Sequence, residues 1–337
     1  MEQQYFNTNK KFELELGGHL DSLTICYNTY GTLNPAKDNV IWVVHALTAN
    51  SEVHDWWGGL FGDGKIFDPT KYFIVCANNL GSPYGSSSAN SINPTSGQRY
   101  GMGFPDFTLR DTADAFLLLL KELQIKGIHL LMGGSCGGNI ALEMAYILGS
   151  KIDHLCLLCC SAKESPWTIG IHQTQRNVIE RSPAFHINQE KTAIEALETA
   201  REIALPYYRT AHSINKKQAD EVDTIKDFKV VSYLHHQGKK FSARFDTHCY
   251  YTLLNALDTY NIGRGRGSVI HTLENIKIKA LCIAINTDLF IPPYEQQYLS
   301  KHLPNATYKE VDSIYGHDAF LIEKDQINAI VEAFLNP

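Results

Sequence analysis

From about residue 40 the chain repeats one rhythm. A short apolar run bounded by turn residues is followed by a longer stretch whose apolar side chains recur three or four positions apart. The runs are Val40–Val44, Tyr72–Ala77, Ile128–Met132, Leu155–Cys160 and Ala280–Ile285. None of them alternates with polar residues, which suits strands covered on both faces, as in a parallel sheet. The helical stretches include Thr108–Leu123, where Leu109, Ala113, Phe116, Leu117 and Leu120 fall at helical spacing. Asn139–Leu148 follows a glycine-rich turn, and Asp325–Phe334 closes the chain. Strands alternating with helices predict an α/β fold. The first thirty residues read differently. KFELELGG and LTICYNTYG alternate, and the two are expected to pair as an antiparallel hairpin.

The rhythm breaks between about Glu164 and Gly267. Strand-like runs are few there and helical ones several, among them Lys191–Tyr208 and Phe245–Asp258. The expected organisation is a core of residues 1–163 and 268–337, with residues 164–267 inserted as a helical lid over the C-terminal edge of the sheet. No internal repeat or low-complexity segment interrupts this plan.

Composition narrows the function. A chain of 337 residues can bury a full core without staples, and 44% hydrophobic with 20% charged residues is ordinary for a globular protein. A formal charge of −6 supplies no basic field to hold nucleic acid or an anionic membrane. The polar start, Met1 to Tyr5, gives no secretory signal, and no apolar run approaches the roughly 20 residues of a membrane helix. A cytoplasmic location is the expectation. Most of the eight cysteines sit in apolar runs, as Cys156, Cys159 and Cys160 do, and read as buried thiols. Cys156 and Cys159 have the first half of a zinc spacing with no second pair, so no metal is expected.

The most informative stretch is IHLLMGGSCGGNIALEMA. Gly133-Gly134-Ser135-Cys136-Gly137 fits Gly-x-Ser-x-Gly, with an apolar strand before it and a helix after it. The turn between them is so tight that the serine takes a strained backbone conformation, and flanking glycines remove the side chains that would clash. Ser135 Oγ then projects at the sheet edge, at the positive end of the following helix. A serine hydroxyl is a poor nucleophile and needs a base, which needs an orienting acid. In chains with this motif the order is Ser, acid, His. Asp288 ends the apolar strand ALCIAINTD, and His317 lies in SIYGHDAFL, between a strand-like segment and the last helix. Asp312 is the rival acid, but it does not end a buried strand. Two backbone N–H groups must stabilise the oxyanion. Cys136, next to the nucleophile, is expected to supply one, and Leu47, in the loop VVHALTAN, the other. His45 in that loop is read as shaping it by hydrogen bonding.

Other signals point away from function. Gly59 to Lys65 has the spacing of a phosphate-binding loop, but Ile66 stands where its hydroxyl residue belongs and no strand precedes it. GRGRGS at Gly263–Ser268 reads as a flexible hinge leaving the lid, with Arg264 and Arg266 as candidates for holding a ligand phosphate. His235-His236 reads as lid surface. Cys136 is a conceivable rival nucleophile, but the elbow points Ser135 at the substrate.

Beyond these local readings, the chain resembles the homoserine O-acetyltransferase family of the α/β-hydrolase superfamily over nearly its whole length. HALTAN with WWGGLFGDGK is similar to the family's oxyanion-loop region. NNLGSPYGSSSANSINPTSGQRYG followed by FPDFTLRD is a long and specific likeness, and GGSCGGNIALE resembles the nucleophile elbow. YLHHQGKKFSARFDTHCYYTLLNALDTYNIGRGRG resembles the lid's most distinctive stretch, and YGHDAFL the loop of the catalytic histidine. The resemblance implies an α/β-hydrolase fold with a mostly parallel sheet and transfer of an acetyl group from acetyl-CoA to the hydroxyl of L-homoserine, a step toward methionine. It implies acetyl-CoA as co-substrate with no permanently bound cofactor, and a homodimer built through lid helices. Ser135 would be nucleophile, His317 base and Asp288 its orienting acid. Arg201, in ETAREIA, would hold the substrate carboxylate, and Asp318 the ammonium. The departures are Cys136 and Asn139 where the family often carries Met, Thr247-His248 for Ala-Asn, Cys249 for Ser, and a lid a few residues shorter before Arg201. Succinyl-CoA as donor, serine as acceptor, a serine esterase and a catalytically dead binding protein of the same fold are the alternatives left open.

Overall fold

The computed structural model describes residues 3–189 and 191–336, so Met1, Glu2 and Pro337 of the core segments lie outside the described residues. Its centre is an eight-stranded sheet. The strands are β1 (Gln4–Thr8), β2 (Leu23–Tyr30), β3 (Val40–Val44), β4 (Phe73–Ala77), β5 (Ile128–Gly134), β6 (Ile152–Leu158), β7 (Lys279–Ile285) and β8 (Ala306–Val311). Their order across the sheet is β1-β2-β4-β3-β5-β6-β7-β8. Pairing is parallel from β4 through β8, and antiparallel where β2 meets β1 and β4.

The unalternating apolar runs are explained by burial on both faces. All five residues of β3 are buried. Val40, Trp42 and Val44 enter the core on one side of the sheet, and Ile41 and Val43 the core on the other. Helices α1 (Leu109–Glu122) and α2 (Cys136–Leu148) cover the first side, through Phe116, Leu119, Ile140 and Leu142 among others. Thr108 caps α1 by accepting from the Asp111 amide, and Asp111 answers by accepting from the Thr108 amide. The last helix of the chain, Lys324–Leu335, covers the second side with Ile327, Val331 and Phe334.

Between β6 and β7 the chain builds α3 (Pro166–Glu180), α4 (Ile194–Tyr208), α5 (Ala211–Gln218), α6 (Lys229–Ser242) and α7 (Thr247–Asp258). The apolar side chains of Ile171 on α3 and Ala204 and Tyr208 on α4 pack with Phe290 and Ile291 just beyond β7. This insertion therefore rests on the end of the sheet where the site lies. Among the described residues no helix is long and apolar enough to cross a membrane.

Two expectations need correction. LTICYNTYG does form β2, but its antiparallel partner is β1, not KFELELGG. Gly17 and Gly18 adopt φ of +90° and +79°, and the Gly17 amide donates to the Leu14 carbonyl at 3.0 Å. That turn folds Phe12–Glu13 back onto His19–Leu20 as a separate two-stranded ribbon, which uses up the pairing capacity of the segment. GRGRGS is no flexible hinge. Arg264 binds both carboxylate oxygens of Glu15, at 3.0 and 2.6 Å, and Arg266 reaches buried Glu143 at 2.7 Å while lying over the Tyr146 ring. Glu143 is an acid buried on α2 and needs such counter-charges. Both guanidinium groups are thus engaged by carboxylates of the chain itself, Arg266 largely buried and Arg264 part-exposed. Where the chain enters and leaves the insertion it is also pinned, by Glu164 N–H to Tyr260 O and Ile262 N–H to Ala162 O, each 3.0 Å.

Candidate active site

The junction of β5 and α2 is a single residue, Ser135, with φ +54° and ψ −129°. A non-glycine residue held there costs about 1–3 kcal/mol, so its surroundings must impose it. The Ser135 amide donates to the Leu158 carbonyl at 2.8 Å, and the Ser135 carbonyl accepts from the Gly138 amide at 2.8 Å. The flanking glycines permit the approach. A Cβ on Gly133 would lie 2.2 Å from the Gly137 carbonyl oxygen, and one on Gly137 would lie 2.2 Å from that of Val44. Both obstacles are backbone, which cannot swing aside. Gly137→Ala should therefore cost at least about 3 kcal/mol, measured as loss of soluble protein or a lowered Tm.

His317 sits on a one-turn 3-10 segment, Gly316–Asp318, beyond β8. Its Nε2 is 2.9 Å from Ser135 Oγ, and its Nδ1 is 2.6 Å from Asp288 Oδ2. The other oxygen of Asp288, Oδ1, accepts from the Phe290 and Ile291 amides at 2.8 and 2.9 Å. Those two amides set the carboxylate, the carboxylate sets the ring, and the ring meets the hydroxyl. His317 and Asp288 are both buried. The rival acid, Asp312, is exposed and accepts from Asn286 Nδ2 at 2.5 Å, away from the imidazole.

A cavity of about 680 Å³, measured with its open mouth, surrounds this chain of bonds. Leu47, Ser135, Cys136, Arg201, His317 and Asp318 all line it, and Asp288 stands behind His317. Thus six of the seven residues singled out from the sequence face one space. Arg201 reaches it from α4, its guanidinium 5.4 Å from the Tyr208 ring centroid and 5.2 Å from that of Phe241. Asp318 faces the cavity while its Oδ2 accepts from Arg209 Nε at 2.5 Å.

The electrostatics sort the neighbours. Burial, reinforced by the charge of Glu164, pushes the Cys136 thiol up to about 12, so it is no thiolate rival to Ser135. Burial also drives His45 down to about 4 and keeps it neutral. Its Nε2 accepts from the Asn79 amide at 3.0 Å, so Nδ1–H donates to the Ala46 carbonyl at 2.8 Å and shapes the loop that carries Leu47. Cys159, Asp288 and His317 bring possible metal-ligating atoms within 4.8 Å of one another. The Cys159 thiol, however, is held well above its ordinary value by burial and then by the Asp288 charge. It stays protonated, while the other two are engaged with each other.

Several cavity residues escaped the sequence reading. Glu164 and His172 line the space and are buried, and Glu164 Oε2 and His172 Nε2 have no hydrogen-bond partner among the described residues. Tyr208 and Phe290 wall it beside His317, with ring centroids 6.0 and 5.0 Å from the imidazole. Arg209 binds Asp318, and Arg244 donates to the Thr48 carbonyl at 2.6 Å, tying the lid to the loop of Leu47. Glu164 and His172 lie at no recognisable motif. Arg244 at least falls inside the 233–267 block that carried the family resemblance.

A strand order of 1-2-4-3-5-6-7-8 with a serine at the β5 elbow and an Asp–His pair from the last two strand ends defines an α/β-hydrolase enzyme. Residues 39–324 match the family described as the alpha/beta hydrolase fold. The chain is 44% identical over 334 residues to a homoserine O-acetyltransferase of Cyclobacterium marinum, covering 99% of this chain and 95% of that protein. The crystal structure of a homoserine O-acetyltransferase from Bacillus anthracis superposes with a TM-score of 0.92 at 24% sequence identity, over 100% of this chain and 98% of that one. The crystal structure of esterase E22 has the same fold, with a TM-score of 0.92 at 22% identity and 99% coverage of both chains. The chain belongs to the homoserine O-acetyltransferase family.

Proposed function

We propose that this enzyme moves an acetyl group from acetyl-CoA to the γ-hydroxyl of L-homoserine through an acetyl-Ser135 intermediate. The observation that carries the reading is the Asp288–His317–Ser135 chain of 2.6 and 2.9 Å opening into a lid-walled cavity that also holds Arg201. The name of the Cyclobacterium relative supports the acceptor and acyl group.

His317 takes the Ser135 proton as Oγ attacks the thioester carbonyl carbon. The C–S bond breaks once His317 has passed that proton to the departing sulfur, and CoA leaves as the thiol. The N–H groups of Leu47 and Cys136 receive the oxyanion, each such donor lowering the barrier by about 3 kcal/mol. His317 then deprotonates the homoserine hydroxyl, which attacks the acetyl-serine and returns Ser135 free. The scheme is ping-pong. Water is the competitor in its second half. The lid restricts water, while Arg201 and Asp318 clamp the carboxylate and ammonium of the amino acid, giving its hydroxyl a high effective concentration. The rings of Tyr208 and Phe241 against Arg201 support that role, because they hold a planar guanidinium ready for bidentate binding. Arg201→Lys should raise KM for homoserine roughly 10- to 100-fold, the loss of a charge-assisted bidentate contact. Initial rates over a homoserine series at saturating acetyl-CoA measure it.

The same site would act as an esterase if water reached the acyl-enzyme freely. CoA release from acetyl-CoA with and without homoserine decides between them. A transferase releases CoA far faster with the acceptor present, and equal rates would sink the transferase reading. A cytoplasmic homodimer in methionine synthesis completes the proposal. Val222, Ile225, Phe228 and Val231, exposed together near the start of α6, are consistent with pairing through the lid, and sedimentation reads the oligomeric state.

A further inference from the structure

Asp318 lines the cavity beside His317, yet its side chain is held from outside the cavity. Among the described residues a single hydrogen bond reaches this carboxylate: Arg209 Nε donates to Oδ2 at 2.5 Å. Oδ1 accepts from none of them. The pair is largely withdrawn from water, with 24% of the Arg209 side chain and 17% of that of Asp318 exposed. Arg209 does not line the cavity. It borders a separate surface hollow with Ser213, Lys217 and Tyr233, and so stands behind Asp318.

The backbone on both sides of the pair is fixed. Arg209 follows Tyr208, the last residue of α4, and its amide still donates to the Leu205 carbonyl at 3.1 Å. The hydroxyl of the next residue, Thr210, donates to the Ile314 carbonyl. Gly316, at φ +65°, sits so near that a Cβ on it would lie 3.2 Å from the Tyr208 carbonyl oxygen. The end of α4 and the turn Gly316–Asp318 therefore pack as one unit. Arg201, on the same helix, faces the cavity. Thus α4 carries one grip on the amino acid and, just past its end, the donor that holds the other. Arg209 exerts two opposed effects on an ammonium at Asp318. Its charge repels the ammonium, but the Asp318 carboxylate stands between the two and offsets most of that repulsion. Its Nε–H orients the carboxylate, which removes the entropy cost of ordering it when the acceptor binds. Orientation is the larger effect.

We propose that Arg209 is the positioning residue for ammonium recognition: its Nε–H sets Asp318 to receive the acceptor's ammonium, so that hydroxy amino acids are selected over hydroxy acids. The inference rests on the reading above, in which Asp318 receives that ammonium. Two substitutions separate the hydrogen bond from the charge. Arg209→Met keeps the stem and puts a methyl group where Nε stood. Arg209→Gln puts an amide NH2 there and removes only the charge. p-Nitrophenyl acetate acetylates Ser135 without CoA, and formation of O-acetylhomoserine then gives KM for homoserine. 4-Hydroxybutyrate, which is homoserine without its ammonium, is read as a competitor through its inhibition constant. Arg209→Met should raise KM for homoserine at least about tenfold and move the 4-hydroxybutyrate constant less than about twofold. Arg209→Gln should bring KM back to within about threefold of wild type. Arg209→Leu replaces the Met variant if that one does not fold. A rise in both constants together overturns the proposal, since that is damage to the whole site. A Gln variant as poor as Met overturns it too, and so does a Met variant with unchanged or lowered KM. Asp318→Asn tells the failures apart. If it raises KM for homoserine while Arg209→Met does not, the ammonium reading stands and this inference alone fails. If it leaves KM unchanged, both fail. A wild-type enzyme that forms no O-acetylhomoserine removes the transferase reading and this inference with it.

Discussion

Ser135→Ala should leave a folded protein whose acyl transfer has fallen roughly a millionfold, to the level that binding and the oxyanion amides sustain alone. The substitution removes one oxygen from a part-exposed position. Alanine has no better access than serine to φ +54°, so the backbone strain at the elbow is neither added nor relieved. The hydrogen bonds that hold the turn come from backbone, the Ser135 amide to Leu158 and the Ser135 carbonyl from Gly138, and they survive. Tm should thus stay within a few degrees of wild type while CoA release stops. A mass measurement after acetyl-CoA treatment should show the acetyl adduct on wild type and none on the variant. Near-normal turnover in Ser135→Ala would remove the covalent route altogether.

Asp288→Asn should lower kcat about ten-thousandfold with little change in the fold, and the reason lies in which oxygen does what. Oδ1 of Asp288 accepts from two amides, those of Phe290 and Ile291. An asparagine keeps those bonds only by leaving its carbonyl there, which turns its NH2 toward His317 Nδ1. A donor in that place requires Nδ1 to be the acceptor, so the ring proton moves to Nε2. Nε2 then points a hydrogen at Ser135 Oγ and can no longer take its proton. The loss should appear in kcat for both acetyl-CoA and p-nitrophenyl acetate, since both need Ser135 activated. A variant retaining more than about a tenth of wild-type kcat would mean that some other group orients the imidazole. Asp312 does not fill that role in this fold, exposed as it is and bonded to Asn286.

These two experiments draw on residues that stood out along the chain for different reasons. Ser135 was legible because its chemistry demands a local shape, a strand, a glycine-flanked turn and a helix within about a dozen contiguous residues. Asp288 and His317 were legible through order and placement at the ends of apolar runs. Glu164 and His172 were not legible, because each belongs to no local pattern. They meet in the cavity only because α3 folds back over the sheet and Asp258, 86 residues from His172, fixes the ring.

Periodicity alone determined the central strands, the helices flanking them and the break at the lid, because burial on two faces or one stripe leaves its mark on every turn of chain. It could not determine which strand pairs with β2, since alternation describes a strand's face and carries no information about its neighbour. Nor could it tell that Arg264 and Arg266 are consumed by Glu15 and Glu143, because a charge in sequence looks the same whether it is solvated or paired. Tertiary structure decided those partners, because each pair joins residues far apart along the chain, Arg264 with Glu15 and Arg266 with Glu143.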